Sequence, residues 1–321
     1  MPGIHDFVQT DVNRQFISKR ADPYVCYKDG RYYFTASVPE YDRIILRCSQ
    51  TLDGLKDAPE KTVWKKHDSG IMSKHVWAPE LHYVMGEWHI YFAASRADDI
   101  WALRPYVLRC TGDDPMEDGY EELGQMQADD EFSFQDFSLD LTVFTNQGKW
   151  YAVWAEKVSV GRKISNLYIA EMESPSKLKS EQVLLSTPCY AWERHGFWVN
   201  EGPAVLKHEN KLFLVYSASD TSAAYCMGML EINSDQDVLD PSNWKKSRKP
   251  VFTSDSSNGL YGPGHCSFVK DEQGGDVMFY HARQYDEIVG DPLYDPNRHT
   301  MRMKIQWDVE GCPVFDIIRN Y

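Results

Sequence analysis

The sequence predicts an all-β chain folded as a five-bladed β-propeller, with residues 1–321 forming one catalytic unit. Three observations predict it. One pattern of about 60 residues recurs five times, each occurrence reads as a β-hairpin, and no long helical periodicity competes with it anywhere.

The five occurrences open at Asp22, Glu80, Asp140, Glu201 and His265. Each begins with a polar residue and a short apolar strand. A turn follows, at Asp29-Gly30, Met85-Gly86, Gln147-Gly148, Glu209-Asn210 and Gly274-Gly275. A second run rich in Val, Tyr, Phe and Trp then ends in small or aromatic residues, and Gly or Asn turns between such runs are hairpin signals. A third strand-like run completes each unit: Arg43 to Cys48, Pro105 to Cys110, Asn166 to Met172, Tyr225 to Ile232 and Thr300 to Trp307. Units of three or four antiparallel strands at this period are propeller blades, and the extra length over the common short-blade families leaves room for loops that build a site.

Composition narrows the partner. The chain carries 48 acidic against 34 basic residues, a formal net charge of −14. Nucleic-acid binding needs a basic footprint, so that class is excluded and a neutral glycan fits better. The seven cysteines are odd in number and scattered, with no C-x-x-C pair, which is neither a disulfide framework nor a zinc site. His75, His82 and His89 would align on a helix, but Gly86 and the alternation of Trp88, Ile90 and Phe92 make this a hairpin with unrelated histidines. No apolar run reaches the ~18 residues of a membrane span, so no membrane partner is expected. The Met1–Asp6 stretch has no signal-peptide character, and the expectation is a cytoplasmic protein.

In a propeller the first strand of each blade lines the central channel, and equivalent positions fall at one end of it. With Asp22, Glu80, Asp140, Glu201 and His265 taken as equivalent, four carboxylates and an imidazole are expected at one mouth of the axis. Any one of them alone reads as a solvated turn residue. Five together are costly unless solvated, metal-bound or used, so the ring is expected to be a site.

At these residues the sequence resembles glycoside hydrolase family 43, the arabinanases, α-L-arabinofuranosidases and β-xylosidases. The matching stretches are Ala21-Asp22-Pro23, His75 through Glu80, Ser138-Leu139-Asp140, Asn200 through Pro203 and Gly262 through His265, with Arg298 through Trp307 similar to the family's closing strand. The resemblance implies Asp22 as general base, Glu201 as general acid and Asp140 as the carboxylate that orients and tunes the acid. It also implies His265 at the axis, where some members bind a calcium ion, and Arg298 as the arginine holding the terminal sugar, with Arg302 the second candidate. Glu80 stands where many members carry Asp and is assigned to substrate binding. Trp77, Phe34 and Trp198 are the candidate stacking residues.

An inverting glycosidase needs one ionised carboxylate to activate water and one protonated carboxyl to release the leaving oxygen, which suits these residue types. The stretch from Phe34 to Arg43 resembles exo-acting arabinofuranosidases, so the expected activity is release of arabinose from α-1,5-linked arabino-oligosaccharides. β-Xylosidase and endo-arabinanase are the alternatives on the same fold. A non-catalytic carbohydrate-binding propeller is the alternative of another class, and it would repeat one site in every blade. Here the opening residues differ from blade to blade, which favours a single active site.

Overall fold

The computed structural model describes residues 15–158 and 164–315. The Met1–Asp6 stretch and the closing Tyr321 lie outside the described residues. Five antiparallel sheets follow one another along the chain. The first blade is β1 (Ala21–Lys28), β2 (Arg31–Ser37), β3 (Arg43–Ser49) and β4 (Lys61–Lys65). The second is β5 (Lys74–Val84), β6 (Glu87–Ser95), β7 (Arg104–Cys110) and β8 (Tyr120–Gln125). In the third, β9 (Ser138–Asn146), β10 (Lys149–Val158) and β11 (Ile164–Ser174) carry two short outer strands, β12 (Lys177–Leu178) and β13 (Val183–Ser186). The fourth is β14 (Asn200–His208), β15 (Lys211–Ala218), β16 (Cys226–Asn233) and β17 (Lys245–Lys246). The fifth is β18 (Tyr261–Lys270), β19 (Asp276–Arg283) and β20 (His299–Lys304). This is the five-bladed propeller that the repeat predicts.

Turn chemistry explains the hairpins. Asp29 and Gly30 both have positive φ (51° and 79°), as do Met85 and Gly86 (51° and 97°) and Gln147 and Gly148 (47° and 76°). A two-residue turn with both φ values positive matches the right-handed twist of the strands it joins.

The core lies between the blades. Among the described residues five apolar clusters fill the five seams. One, for example, brings Val25, Phe34 and Ile45 of the first blade against Val277 and Phe279 of the fifth. Another sets Ile44 and Leu46 against Leu81 and Ile90 of the second. Phe34 is fully buried in the first of these seams. That corrects its expected role in sugar stacking: its ring packs between blades, where burying it contributes roughly 2–3 kcal/mol.

The ring is closed by the two ends of the described chain. The N–H groups of Phe16 and Ile17 donate to the Thr300 carbonyl (2.7 and 3.2 Å), and Thr300 N–H donates back to Ile17 (2.9 Å). Residues before the first blade thus bridge to the outer strand of the last at one point, and the seam between blades five and one is held by backbone as well as by packing.

Candidate active site

The first strand of every blade carries a residue in the left-handed region near its start: Asp22 (53°), Ala78 (45°), Asp140 (54°), Gly202 (53°) and His265 (47°), with a second, His75 (50°) and Gly262 (58°), in β5 and β18. In β1, β5, β14 and β18 these residues sit at irregularities in the strand register, as at the Asp22-Pro23 step between the Ala21 and Tyr24 pairs. Bulges of this kind re-aim a side chain, and here they point it at the axis. The frame differs from the sequence expectation in two blades. Asp22, Ala78, Asp140 and Gly202 each stand seven positions before the first turn residue, which makes Ala78 and Gly202 the equivalents of Asp22, not Glu80 and Glu201. Glu201 therefore reaches the site from one position upstream. Glu80, two positions downstream, is turned away from the cavity: it pairs with His82 (2.6 Å), whose other ring nitrogen meets the Tyr24 hydroxyl (3.1 Å).

A cavity of about 980 Å³ opens at this mouth of the axis and is lined by Asp22, Asp140, Glu201, His265, Arg298, Trp77 and Trp198, among others. The structure therefore brings together seven of the nine predicted site residues, and leaves out Glu80 and Phe34. Arg302, the second arginine candidate, lies elsewhere, paired with Asp53 (2.6 Å).

Asp22 is held by residues from both ends of the chain. Ser37 Oγ donates to its Oδ2 (2.6 Å), while Arg298 Nη1, His281 Nδ1 and His265 Nδ1 lie 3.5, 3.1 and 3.4 Å from Oδ1. Burial alone would raise its pKa, but His265, Arg298 and His281 together outweigh burial and hold the carboxyl far below the ordinary range. Burial lowers the His281 pKa to about 4, so its ring is neutral near pH 7 and acts on Asp22 through Nδ1, which lies 3.1 Å from Oδ1 and 3.2 Å from the Asp22 amide nitrogen.

Asp140 and Glu201 behave as a pair. Asp140 Oδ2 accepts the Gly202 N–H (3.0 Å) and lies 3.8 Å from His265 Nδ1. Glycine suits position 202 best, because a Cβ there would crowd the His265 ring at 3.1 Å. Glu201 Oε1 accepts the Tyr225 hydroxyl (2.8 Å), and Tyr225 stacks on His281 at 5.5 Å. Burial, opposed by His265 but reinforced by the charges of Glu201 and Asp22, pushes Asp140 up to about 8. Burial pushes Glu201 up as well. Burial thus favours the protonated form of both, and their titration belongs to the pair. His265 rises too, since four surrounding carboxylates outweigh its burial.

Sequence reasoning missed Ser37, Ser217, Tyr225 and His281. Ser37 ends its second strand and Ser217 is the last residue but one of its own, and both contact first-strand axial residues: Ser37 donates to Asp22, and Ser217 Oγ accepts the His265 N–H (2.7 Å). A small hydroxyl at or next to the end of the second strand was the available signal.

The axial calcium expected at His265 has no direct cage of side chains among the described residues. Among the described residues no group of three or more His, Cys, Asp or Glu side chains is arranged to hold a metal ion. Calcium takes six to eight oxygens, whereas His265 offers nitrogen, and the carboxylates beside it already engage Ser37, Arg298 and the Gly202 amide. His75, His82 and His89 do not converge on an ion either. His75 stacks on Trp77 (4.4 Å) and meets the Ile100 carbonyl, while His82 and His89 face each other across the β5–β6 hairpin.

A family model described as glycosyl hydrolases family 43 matches residues 15–313. The chain is 46% identical over 301 residues to an extracellular exo-α-(1→5)-L-arabinofuranosidase of Streptomyces avermitilis, covering 93% of this chain and 62% of that protein. It is 47% identical over 278 residues to a protein of the same name from Streptomyces chartreusis, covering 86% and 84%. A crystal structure of an α-L-arabinofuranosidase from Lactobacillus brevis superposes with a TM-score of 0.91 at 47% identity, covering 96% of this chain and 97% of that one. This chain thus spans less than two thirds of the Streptomyces avermitilis protein's length. The names of both Streptomyces relatives place them outside the cell, which overturns the expectation of a cytoplasmic protein. The matched model, the two relatives and the superposed structure all bear on the same five blades, and the chain belongs to glycosyl hydrolase family 43.

Proposed function

We propose that the protein is an inverting, exo-acting α-L-arabinofuranosidase that releases arabinose from α-1,5-linked arabino-oligosaccharides. The observation that carries this reading is the division of charge in one cavity: Asp22 is held ionised, while burial favours the protonated form of Asp140 and Glu201. Hydrolysis with inversion requires that division.

Asp22 takes a proton from water, and the oxygen of that water attacks the anomeric carbon. Glu201 donates its proton to the departing glycosidic oxygen from the other side. The Gly202 N–H and His265 favour the ionised form of Asp140, which leaves the proton on Glu201, where the leaving oxygen needs it. Arg298, anchored by Tyr41 (2.8 Å), holds the terminal sugar beside Asp22. Trp77 and Trp198 offer ring faces to the sugars, since both line the cavity and neither is fully buried. The names of the Streptomyces and Lactobacillus relatives support the choice of arabinose.

Proton NMR of α-1,5-arabinotriose digestion tests mechanism and substrate together. β-Arabinose must appear first, because water attacks the face opposite the departing oxygen, and arabinobiose must accumulate with it from the outset. Initial α-arabinose would reject Asp22 as a base. Cleavage of xylobiose with arabinotriose left intact would reject the substrate.

A further inference from the structure

The loop from Gln284 to Asn297 joins β19 to Arg298 and walls the half of the cavity that holds Asp22, contributing Asp291, Pro292 and Leu293 to its lining. Arg283, the last residue of β19, lies beneath it and is 2% exposed. Its Nη1 donates to the Thr221 carbonyl (2.6 Å) and its Nη2 to the Pro292 carbonyl (2.7 Å), while Nε lies 3.5 Å from Asp295 Oδ1. Thr221 belongs to the loop after β15 and also lines the cavity. One guanidinium therefore ties the rim of the fourth blade to the rim of the fifth. Only arginine supplies a planar fork that serves two carbonyls at once, and a buried cation is costly enough to need such partners.

The wall is fastened at its far side too. The Tyr41 hydroxyl donates to the Leu293 carbonyl (2.6 Å), and the Tyr294 hydroxyl lies 3.4 Å from His75 Nε2. Inside the loop, Tyr285 donates to the Asp295 carboxylate (2.7 Å) and so keeps Asp295 beneath Arg283. Other residues of the mouth are far less enclosed: Trp101 and Phe197 line the cavity while 50% and 67% exposed.

We infer that Arg283 is a positioning residue that latches the closed wall of the pocket and thereby sets how tightly the terminal sugar is held. The choice of sugar rests on the proposed arabinofuranosidase activity; the latch itself does not. A wall held in place confines binding energy to the chain end, and loosening it should weaken binding without touching the groups that do the chemistry.

Kinetics of Arg283→Met and Arg283→Lys on α-1,5-arabinotriose test this. KM should rise about 10-fold with kcat within about two-fold, the signature of lost uniform binding. Amide hydrogen exchange should quicken at 291–297 and 220–223 and stay unchanged in β1, β9 and β14. Tyr285→Phe, which deletes one hydroxyl and no charge, should raise KM about three-fold by the same reasoning, and it decides the matter if the Arg283 variants do not fold. An unchanged KM, or kcat falling while KM holds, overturns the latch. A wild-type protein inactive on arabinotriose rejects the substrate instead, and unchanged exchange at 291–297 then overturns the latch by itself.

Discussion

Asp22 and Asp140 occupy the same place in two blades, with φ of 53° and 54° and 7% of each exposed, yet their surroundings shift the two carboxyls in opposite directions. Backbone and burial cannot account for that. Asp22 has a guanidinium, two imidazoles and a serine hydroxyl around it. Asp140 shares His265 with it, adds one backbone amide, and faces the carboxylate of Glu201. Desolvation is common to both, so the neighbours decide which becomes a base and which joins an acid pair. The fold supplies five equivalent slots, and the chemistry is written in what surrounds each one.

The largest expected effects break this contrast at its two ends. Asp22→Ala should cost about 10⁴-fold in kcat on natural oligosaccharides and aryl arabinosides alike, since no other group activates the water. Glu201→Ala should cost about 10³-fold on arabinotriose but no more than about 10-fold on aryl arabinosides whose leaving groups need little protonation. Equal losses on the two substrate types would remove Glu201 from the acid role.

Asp140→Asn sharpens the comparison. The charge of Asp140 helps to keep Glu201 protonated, so its removal should move the basic limb of the pH–rate profile about one unit lower. Stability should respond in the same experiment. An acid whose folded pKa is raised, to about 8 for Asp140, contributes stability below its unfolded value of about 4 that is lost as pH rises toward 8. The Tm of Asp140→Asn should therefore gain on the wild type between pH 5 and pH 8, read by calorimetry across that range. A pH-independent difference would mean that Asp140 adds nothing to the raised titration of the pair.

The smallest effect concerns the axis. Chelation should leave both Tm and rate unchanged, because the side chains around His265 form no direct cage for calcium. A fall in Tm on chelation, restored by added calcium, would show that an ion bound to the native state stabilises it.

Much of the fold was legible because hairpins announce themselves: alternating aromatic strands mark every blade and left-handed turn pairs mark the first three. The site was legible because Asp22, Asp140 and His265 hold the axial position in blades one, three and five and Glu201 reaches it from the neighbouring position. The frame slipped in blades two and four because Glu80 and Glu201 are more conspicuous than Ala78 and Gly202, although the seven-residue distance to the turn was there to be counted. Phe34 could not be placed from sequence, since strand alternation separates two faces without saying which one lines a seam. His281 and Tyr225 were hidden for a different reason. Their relation to Asp22 and Glu201 exists only once the ring has closed, and nothing local encodes it.

Closure has a consequence for how the protein is made. His281 lies 259 residues after Asp22, and Arg298 follows it. At about 5–20 residues per second, translation leaves Asp22 without these partners for on the order of ten to fifty seconds. Throughout that time its carboxyl titrates as an ordinary aspartate, and the growing chain has no poised base. The apolar flank of blade one, with Val25, Phe34 and Ile45, also waits uncovered until Val277 and Phe279 arrive. The unfinished polypeptide is therefore both catalytically silent and adhesive, and chaperone dependence should fall sharply once the last blade is synthesised.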